Sequence, residues 1–318
     1  MRAVVRHEYG DTSVLRVEEV DEPAPEPGRV IVDVAAAGVN MAEWHMMSGE
    51  PTLVRLAVGF RRPKQAVLGQ DVAGVVAAIG PGVTRFAVGD EVFGSARGSW
   101  ATRASASEVL LQPLPQGVSF EQAAAVPMPG YTALQALRAV GELEGKRVAI
   151  TGAGGGVGSY AVQLASSSGA YVIAVCSASK ASFVRELGAD EVIDYATTSP
   201  TEGARRFDAV LDFAGSLPIA RWKRVITAGG ILVLGGGEKG GKVLGPLSRS
   251  ARAPFAGGLK AVTLMASTRG DDIAELAAGL ASGKLRSTHS PTYEFADAAQ
   301  AVEALRSAVH PGKIVLTP

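Results

Sequence analysis

Residues 146–158 read KRVAITGAGGGVG, and the chain continues SYAVQLASSSGAYVIAVCS to residue 177. Val148 to Thr151 is a run of apolar and β-branched residues, too short for a helix and closed at once by glycines, which predicts a buried parallel strand. Val157, Ala161, Leu164 and Ala165 then share one face of a helix entered through Gly154 to Gly158, and Gly169 stands where a C′ glycine would end it. Tyr171 to Val175 follows as the next strand. Strand, glycine turn, helix and strand in that order turn glycines into chemistry. Residues without side chains let the backbone approach a pyrophosphate, and the free N–H groups at the positive end of the helix dipole bind its charge.

Ala153, Gly155 and Gly158 spell the A-x-G-x-x-G variant of the dinucleotide fingerprint, which with Gly156 and Val157 makes the expected phosphate cradle. A glycine-rich surface turn is the bland alternative. Thr151, Gly152, Gly156 and Gly158 also spell T-G-x-x-x-G-x-G, which resembles the short-chain dehydrogenases. That family needs a Tyr and a Lys four apart. None of Tyr9, Tyr131, Tyr160, Tyr171, Tyr195 and Tyr293 is followed by Lys at that distance, and the fingerprint lies mid-chain, so this reading fails.

The end of the second strand bears on which dinucleotide is bound. An NAD site places Asp or Glu roughly 20 residues beyond the fingerprint to hold the ribose 2′-hydroxyl. Here the strand runs into Cys176, Ser177, Ala178, Ser179 and Lys180, with no carboxylate. Hydroxyls and an ammonium suit a 2′-phosphate, so NADPH is the expected cofactor, with Ser177 and Lys180 as its readers. Alternatively, Ser177 and Ser179 cap a helix from Lys180 to Leu187.

Length and charge bound the remaining classes. A chain of 318 residues, 47% hydrophobic, suggests two domains with a core each. Its 31 basic and 31 acidic residues balance, which argues against a nucleic-acid or polybasic membrane surface. No apolar run of about 18 residues occurs, and the opening MRAVVRHEYG lacks the apolar centre of a signal peptide, so a cytoplasmic location is expected. The single Cys176 excludes an internal disulfide and a Cys-rich structural zinc site.

Up to about Phe120 the chain is strand-like and punctuated by turns, as MRAVV, VLRVEEV, RVIVDVAAAGV, DVAGVVAAIG and DEVFG, which suggests an antiparallel barrel-like domain. AAAGVN at 35–40, LGQDVAGVVAAIGPGVTRFAVGDEVFG at 68–94, LQPLPQGVSFEQAAAVPMPGYTAL at 111–134, ELGADEVIDY at 186–195, FDAVLDFAG at 207–215 and the terminal HPGKIVLTP appear in the order of one family. In these residues the chain resembles the medium-chain dehydrogenase/reductases. The resemblance implies an α/β fold: a GroES-like β-barrel-type catalytic domain, residues 1–121 and 268–318, interrupted by a Rossmann doubly wound parallel sheet, residues 122–267.

Zinc members of that family carry Cys, His and Cys as catalytic ligands at positions that align with Asn40, Gln70 and Met128 here, which is not a zinc set. The four-cysteine lobe is absent as well, since GSARGSWATRASASEVLL follows Phe93 without a thiol. Glu43, His45 and Asp71 could offer only an improvised metal site, and none is expected. The resemblance thereby narrows to the zinc-less quinone oxidoreductase branch, related to zeta-crystallin and enoyl reductases.

By position, that branch implies that Asn40 lies near the nicotinamide, that Thr132 bonds its carboxamide, and that Tyr195 lies by the adenosine 2′-phosphate. Asn40 could equally cap the next turn, and Thr132 could be an ordinary helix residue. His45 departs from the Tyr common in that branch and is a candidate proton donor, or alternatively a packed ring beside Trp44. Residues 46–67, with Arg55, Arg61, Arg62 and Lys64, read either as a solvated loop or short helix, or as a lid. Residues 235–258 read as a glycine-rich basic loop beside the cofactor, and KAVTLMAS at 260–267 as a last strand through which, by analogy, a homodimer forms.

The expected function is zinc-independent, NADPH-dependent hydride transfer to a small-molecule quinone, enone or enoyl thioester. With neither a metal nor a Tyr/Lys relay to polarise a simple carbonyl, a substrate with its own electron sink fits best. Alternatives are a carbonyl reductase or alcohol dehydrogenase of the same fold, a dedicated reductase of secondary metabolism, and a non-catalytic NADPH-binding protein.

Overall fold

A computed structural model describes residues 1–203, 207–236 and 257–318. Within them the chain divides into two compact units, Met1–Tyr131 with Thr268–Pro318, and Thr132–Ser267. No described helix is long and apolar enough to cross a membrane.

In the first unit β1 (Arg2–Val5) and β2 (Arg16–Glu19) pair as an antiparallel ribbon. β3 (Arg29–Gly38) is a ten-residue, mostly apolar strand, and Asp33 is its one exposed residue. Helices α1 (Met41–Ser48) and α2 (Val54–Val58) follow, the latter a single short turn within the basic 46–67 segment. Next come β4 (Asp71–Ile79), β5 (Glu91–Ser95), β6 (Arg103–Ser107) and β7 (Leu111–Pro113). β3 pairs antiparallel with both β4 and β6, and Asp33 meets Arg103 across the β6 ladder at 2.8 Å. Two register shifts bend β3 against β4, where Gly74 faces the Asp33 carbonyl so closely that a Cβ would lie 2.0 Å from that oxygen.

α3 (Phe120–Ala124) opens with a capping box: Ser119 Oγ accepts from Gln122 N–H (3.2 Å) and Gln122 Oε1 accepts from Ser119 N–H (2.9 Å). It packs on β3 and β4, and the first unit runs on to Tyr131, whereas the sequence reading begins the second at 122. The division falls inside α4 (Pro127–Val140).

The second unit holds β8 (Arg147–Thr151), α5 (Gly156–Ser167), β9 (Tyr171–Cys176), α6 (Ala181–Glu186), β10 (Glu191–Asp194), β11 (Phe207–Asp212), α7 (Ile219–Trp222), β12 (Ile226–Leu234) and β13 (Lys260–Thr263). All six strands are parallel, in the order β10-β9-β8-β11-β12-β13. Counted along the chain this is the doubly wound order 3-2-1-4-5-6, whose direction reverses between β8 and β11. Ile173, Phe207, Val210, Trp222 and Leu232 fill its core. α5 ends as the sequence suggests: Gly169 is left-handed (φ 78°), its N–H donates to Ser166 O, and Ala170 N–H donates to Ala165 O. Most of the 235–258 loop lies outside the described residues.

From Thr268 the chain is back in the first unit, as α8 (Gly270–Ala281), β14 (His289–Glu294), α9 (Ala298–Ser307) and β15 (Lys313–Thr317). β15 pairs antiparallel with the end of β3, Val315 opposite Gly38, giving the order β14-β15-β3-β4-β5-β7. The last residue of β3, the first of β4 and the first of β15 are thereby brought together.

Candidate cofactor and active site

The glycine turn of the second unit begins where β8 stops. Gly152 takes φ 64°, Ala153 is fully buried, and Gly155 N–H donates back to Gly152 O (3.0 Å), which turns the chain into α5. The N–H groups of Gly156, Val157 and Gly158 open the helix, where no preceding turn supplies acceptors. A Cβ at Gly158 would lie 2.1 Å from Gly152 O, so the crossing of turn and helix requires a glycine. The strand ends around the turn are pinned from below: Thr151 Oγ1 donates to the fully buried Asp212 (2.6 Å), which also accepts from Gly215 N–H and Trp222 Nε1, each at 3.0 Å.

At the end of β9, Ser177 precedes a single 3-10 turn, and its hydroxyl lies 3.0 Å from that of Ser179. Lys180 is buried, and its methylenes lie over the glycine turn: a Cβ at Gly154 would come within 2.6 Å of Lys180 Cδ. Burial holds its ammonium below the ordinary lysine range. Tyr195 follows β10, exposed, with its N–H on Cys176 O. Ala153, Gly155, Gly156, Val157, Gly158, Ser177, Lys180 and Tyr195 therefore all stand at the C-terminal ends of neighbouring strands, while Thr132 is a nearly buried residue of α4.

Asn40 and His45 belong to the first unit. Asn40 follows β3 and caps α1, with its N–H donating to Glu43 Oε2 at 2.7 Å. Its side chain is committed elsewhere. Nδ2 donates to Asp71 Oδ2 (2.9 Å) and, at the limit, to Glu43 Oε1 (3.5 Å), while Oδ1 accepts from Lys313 Nζ at 2.5 Å. Lys313 also donates to Val39 O (2.6 Å) and pairs with Asp71 at 3.5 Å; Asp71 Oδ1 takes the Met128 N–H at 2.9 Å. One buried ammonium thus serves two buried carboxylates. Burial raises both carboxyls: Asp71 is pushed up against the pull of Lys313 and its donors Asn40 and Met128, and Glu43 is pushed up to about 7, against the attraction of Lys313 and assisted by the charge on Asp71. The same surroundings raise the Tyr131 phenol, through burial first and then Asp71.

His45 lies one turn further along α1. Its Nδ1–H donates to the Glu50 carbonyl (2.6 Å), and its ring meets Trp44 edge-on at 4.9 Å. That bond fixes the tautomer and leaves Nε2 as the nitrogen available for proton transfer.

The chain matches the family described as alcohol dehydrogenase GroES-like domain over residues 26–128 and that described as zinc-binding dehydrogenase over residues 187–316. A chloroplastic quinone oxidoreductase of Triphysaria versicolor is 32% identical to it over the whole chain and 98% of that protein's length. The chain belongs to the medium-chain dehydrogenase/reductase superfamily. Among solved structures of this superfamily, a quinone oxidoreductase from Coxiella burnetii superposes with TM-score 0.88 at 25% identity, covering 100% of this chain and 99% of that one. The Escherichia coli quinone oxidoreductase complexed with NADPH superposes with TM-score 0.85 at 26% identity over the full length of both. The fold is therefore α/β, a GroES-like domain with a Rossmann parallel sheet.

The residues that the resemblance aligns with zinc ligands, Asn40, Gln70 and Met128, do not have the donor chemistry of a zinc set. Asn40 has both its amide oxygen and its amide nitrogen engaged, Gln70 is a neutral amide, and Met128 offers a thioether in place of a thiolate. Among the described residues no group of three or more His, Cys, Asp and Glu side chains could hold a metal. Lys313 supplies the cation between Asp71 and Glu43. The sequence places Glu43 and Asp71 only in an improvised metal site with His45, and gives Lys313 and Asp212 no part in building the site. The one available signal is a lysine heading the apolar run KIVLT.

Proposed function

We propose that this oxidoreductase transfers hydride from NADPH to a quinone or to the activated C=C bond of an enone or enoyl thioester, without zinc. The observation that carries the reading is the end of β9, where Ser177 and Lys180, and no carboxylate, stand beside the glycine turn. NADPH, when bound, supplies the hydride. The N–H groups of Gly156, Val157 and Gly158 hold the pyrophosphate, and Ser177 and Lys180 select the 2′-phosphate, with Tyr195 alongside. In the first unit, Lys313 and Asp71 lock the Asn40 side chain, so that the start of α1 keeps a fixed position for the acceptor. His45 delivers the proton that balances hydride arrival, while its Nδ1 stays on Glu50 O. Neutral donors at the zinc positions give a simple ketone no Lewis acid. A quinone or enone accepts charge on its own oxygen, and a few N–H or O–H groups suffice to stabilise it there.

We also read the enzyme as a homodimer. The deciding experiment follows oxidation of NADPH and of NADH by quinones, enones, enoyl thioesters and simple ketones, with zinc content measured on the same sample. Turnover of the first three classes with NADPH, on protein without stoichiometric zinc, supports the reading. Ketone turnover with one zinc per chain overturns it, and tight NADPH binding with no turnover points to a binding protein.

A further inference from the structure

The first unit contains a cavity of about 650 Å³, a size that suits a small-molecule ligand. Gly69, Gln70 and Met46 form part of its wall, immediately beside Asp71 and His45 of the site described above. Four of its lining residues are cationic, Arg6, Arg29, Lys64 and Arg97, and none is acidic. In a chain with 31 basic and 31 acidic residues, that local imbalance needs an account.

The four cations are not equally engaged. Arg6 is buried and structural, its Nε donating to Met46 O (3.1 Å) and Nη1 to Gln65 O (2.9 Å), which ties β1 to the 46–67 segment. Arg29 is held by Ser105, through Oγ and the carbonyl, each at 2.7 Å, and has only the largely exposed Glu26 at 3.7 Å. The side chains of Lys64 and Arg97 have neither a hydrogen bond nor an ion pair among the described residues. Burial first, and the nearby charge of Arg97 second, hold the Arg29 guanidinium below its ordinary range. Lys64 and Arg97 are exposed, and the one carboxylate near these cations is the largely exposed Glu26, so an oxyanion would relieve their mutual repulsion while meeting unused donors.

We propose that the cavity is the seat of an oxyanion, a phosphate or carboxylate, borne by the acceptor substrate, with Lys64, Arg97 and Arg29 as its ligands. The inference rests on the reductase reading for the word substrate, and on the cavity alone for the oxyanion. An acceptor whose reacting carbons lie by Gln70 and His45 extends its charged arm between Lys64 of the basic segment and Arg97 of the turn after β5. The basic segment is thereby given a purpose in specificity.

Two measurements test this separately. The first compares kcat/KM for crotonyl-4′-phosphopantetheine and crotonyl-pantetheine, which share the reacting group and differ by one phosphate, at saturating NADPH. A benzoquinone and its carboxylate-bearing counterpart form the second pair. The charged member is favoured about tenfold or more, the preference falls with added salt, and Lys64→Ala and Arg97→Ala each lower the charged-to-neutral ratio. A phosphate preference without a carboxylate preference assigns the arm as phosphate, and the reverse assigns carboxylate. A ratio near one in the wild type, or one that both variants leave unchanged, overturns the inference while turnover itself keeps the reductase reading.

The second titrates inorganic pyrophosphate into enzyme saturated with NADP+, by calorimetry. Binding that weakens about tenfold in Arg97→Ala keeps the oxyanion seat even if no acceptor is reduced. Absence of binding, or binding indifferent to both substitutions, removes it.

Discussion

His45 can act only through Nε2, because Nδ1 is tied to the Glu50 carbonyl at 2.6 Å. His45→Phe keeps an aromatic ring against Trp44 and removes both nitrogens. We expect kcat to fall about 10² to 10⁴-fold with NADPH affinity kept. An unchanged kcat would make His45 a wall residue and leave water as the proton source. Glu43 gives a second prediction through its carboxyl at about 7, raised from an unfolded value of 4.5 by burial. The native state therefore holds this proton more tightly than the unfolded chain does. The stability it contributes is complete below 4.5, declines as pH rises, and is lost above about 7. Its size is on the order of 3 kcal/mol. Glu43→Gln keeps an acceptor for the Asn40 N–H but cannot ionise, so its stability relative to wild type should rise between pH 4.5 and 8 in urea unfolding. A difference that stays flat across that range would mean that Glu43 is not protonated in the folded protein.

At the scale of elements, the strand–turn–helix unit makes the strongest demand on sequence. Gly158→Ala puts a Cβ 2.1 Å from the Gly152 carbonyl oxygen, and backbone must shift to admit it. The cost is about 1–3 kcal/mol of stability, read as a lowered Tm, together with weaker NADPH binding if the N–H groups proposed to hold the pyrophosphate move. Lys180→Met is gentler: it preserves methylene packing over Gly154 and removes the ammonium. NADPH affinity should fall by the equivalent of roughly 1.5–3 kcal/mol with NADH affinity kept, and an equal loss for both would end the 2′-phosphate assignment. This unit is legible in the sequence because every constraint on it is local: a short apolar run, glycines at fixed spacing, and Gly169 at the helix end. The buried cluster is not legible. Asn40, Asp71 and Lys313 meet because three strand ends, distant in sequence, lie side by side through the β3–β4 and β3–β15 ladders, and a lone charged residue at a strand end reads as solvated until that pairing is known. The packing of α3 on β3 and β4 is hidden for the same reason, and with it the extension of the first unit to Tyr131.

For the whole molecule, the two edges of the six-stranded sheet differ in a way that bears on assembly. β10 carries Glu191 and Asp194, charges of one sign that discourage edge-to-edge pairing. β13 is the opposite edge, KAVT, paired on one side with β12 and followed by Leu264 and the strongly exposed Met265. After Lys260 this edge bears no charge through residue 267, and its unpaired backbone groups offer a template for another strand. A second β13 approaching about a twofold axis satisfies both edges at once with identical residues, the simplest closed arrangement for one kind of chain. We expect light scattering on a sizing column to give twice the 32.6 kDa of a single chain. Met265→Lys, which adds like charges near the axis on an exposed side chain, should raise the dimer dissociation constant about tenfold or more without lowering the Tm of the monomer, whereas Glu191→Lys on the opposite edge should leave it unchanged. A wild-type mass of one chain at micromolar concentration, or a dimer weakened at Glu191 and not at Met265, would move the interface away from β13.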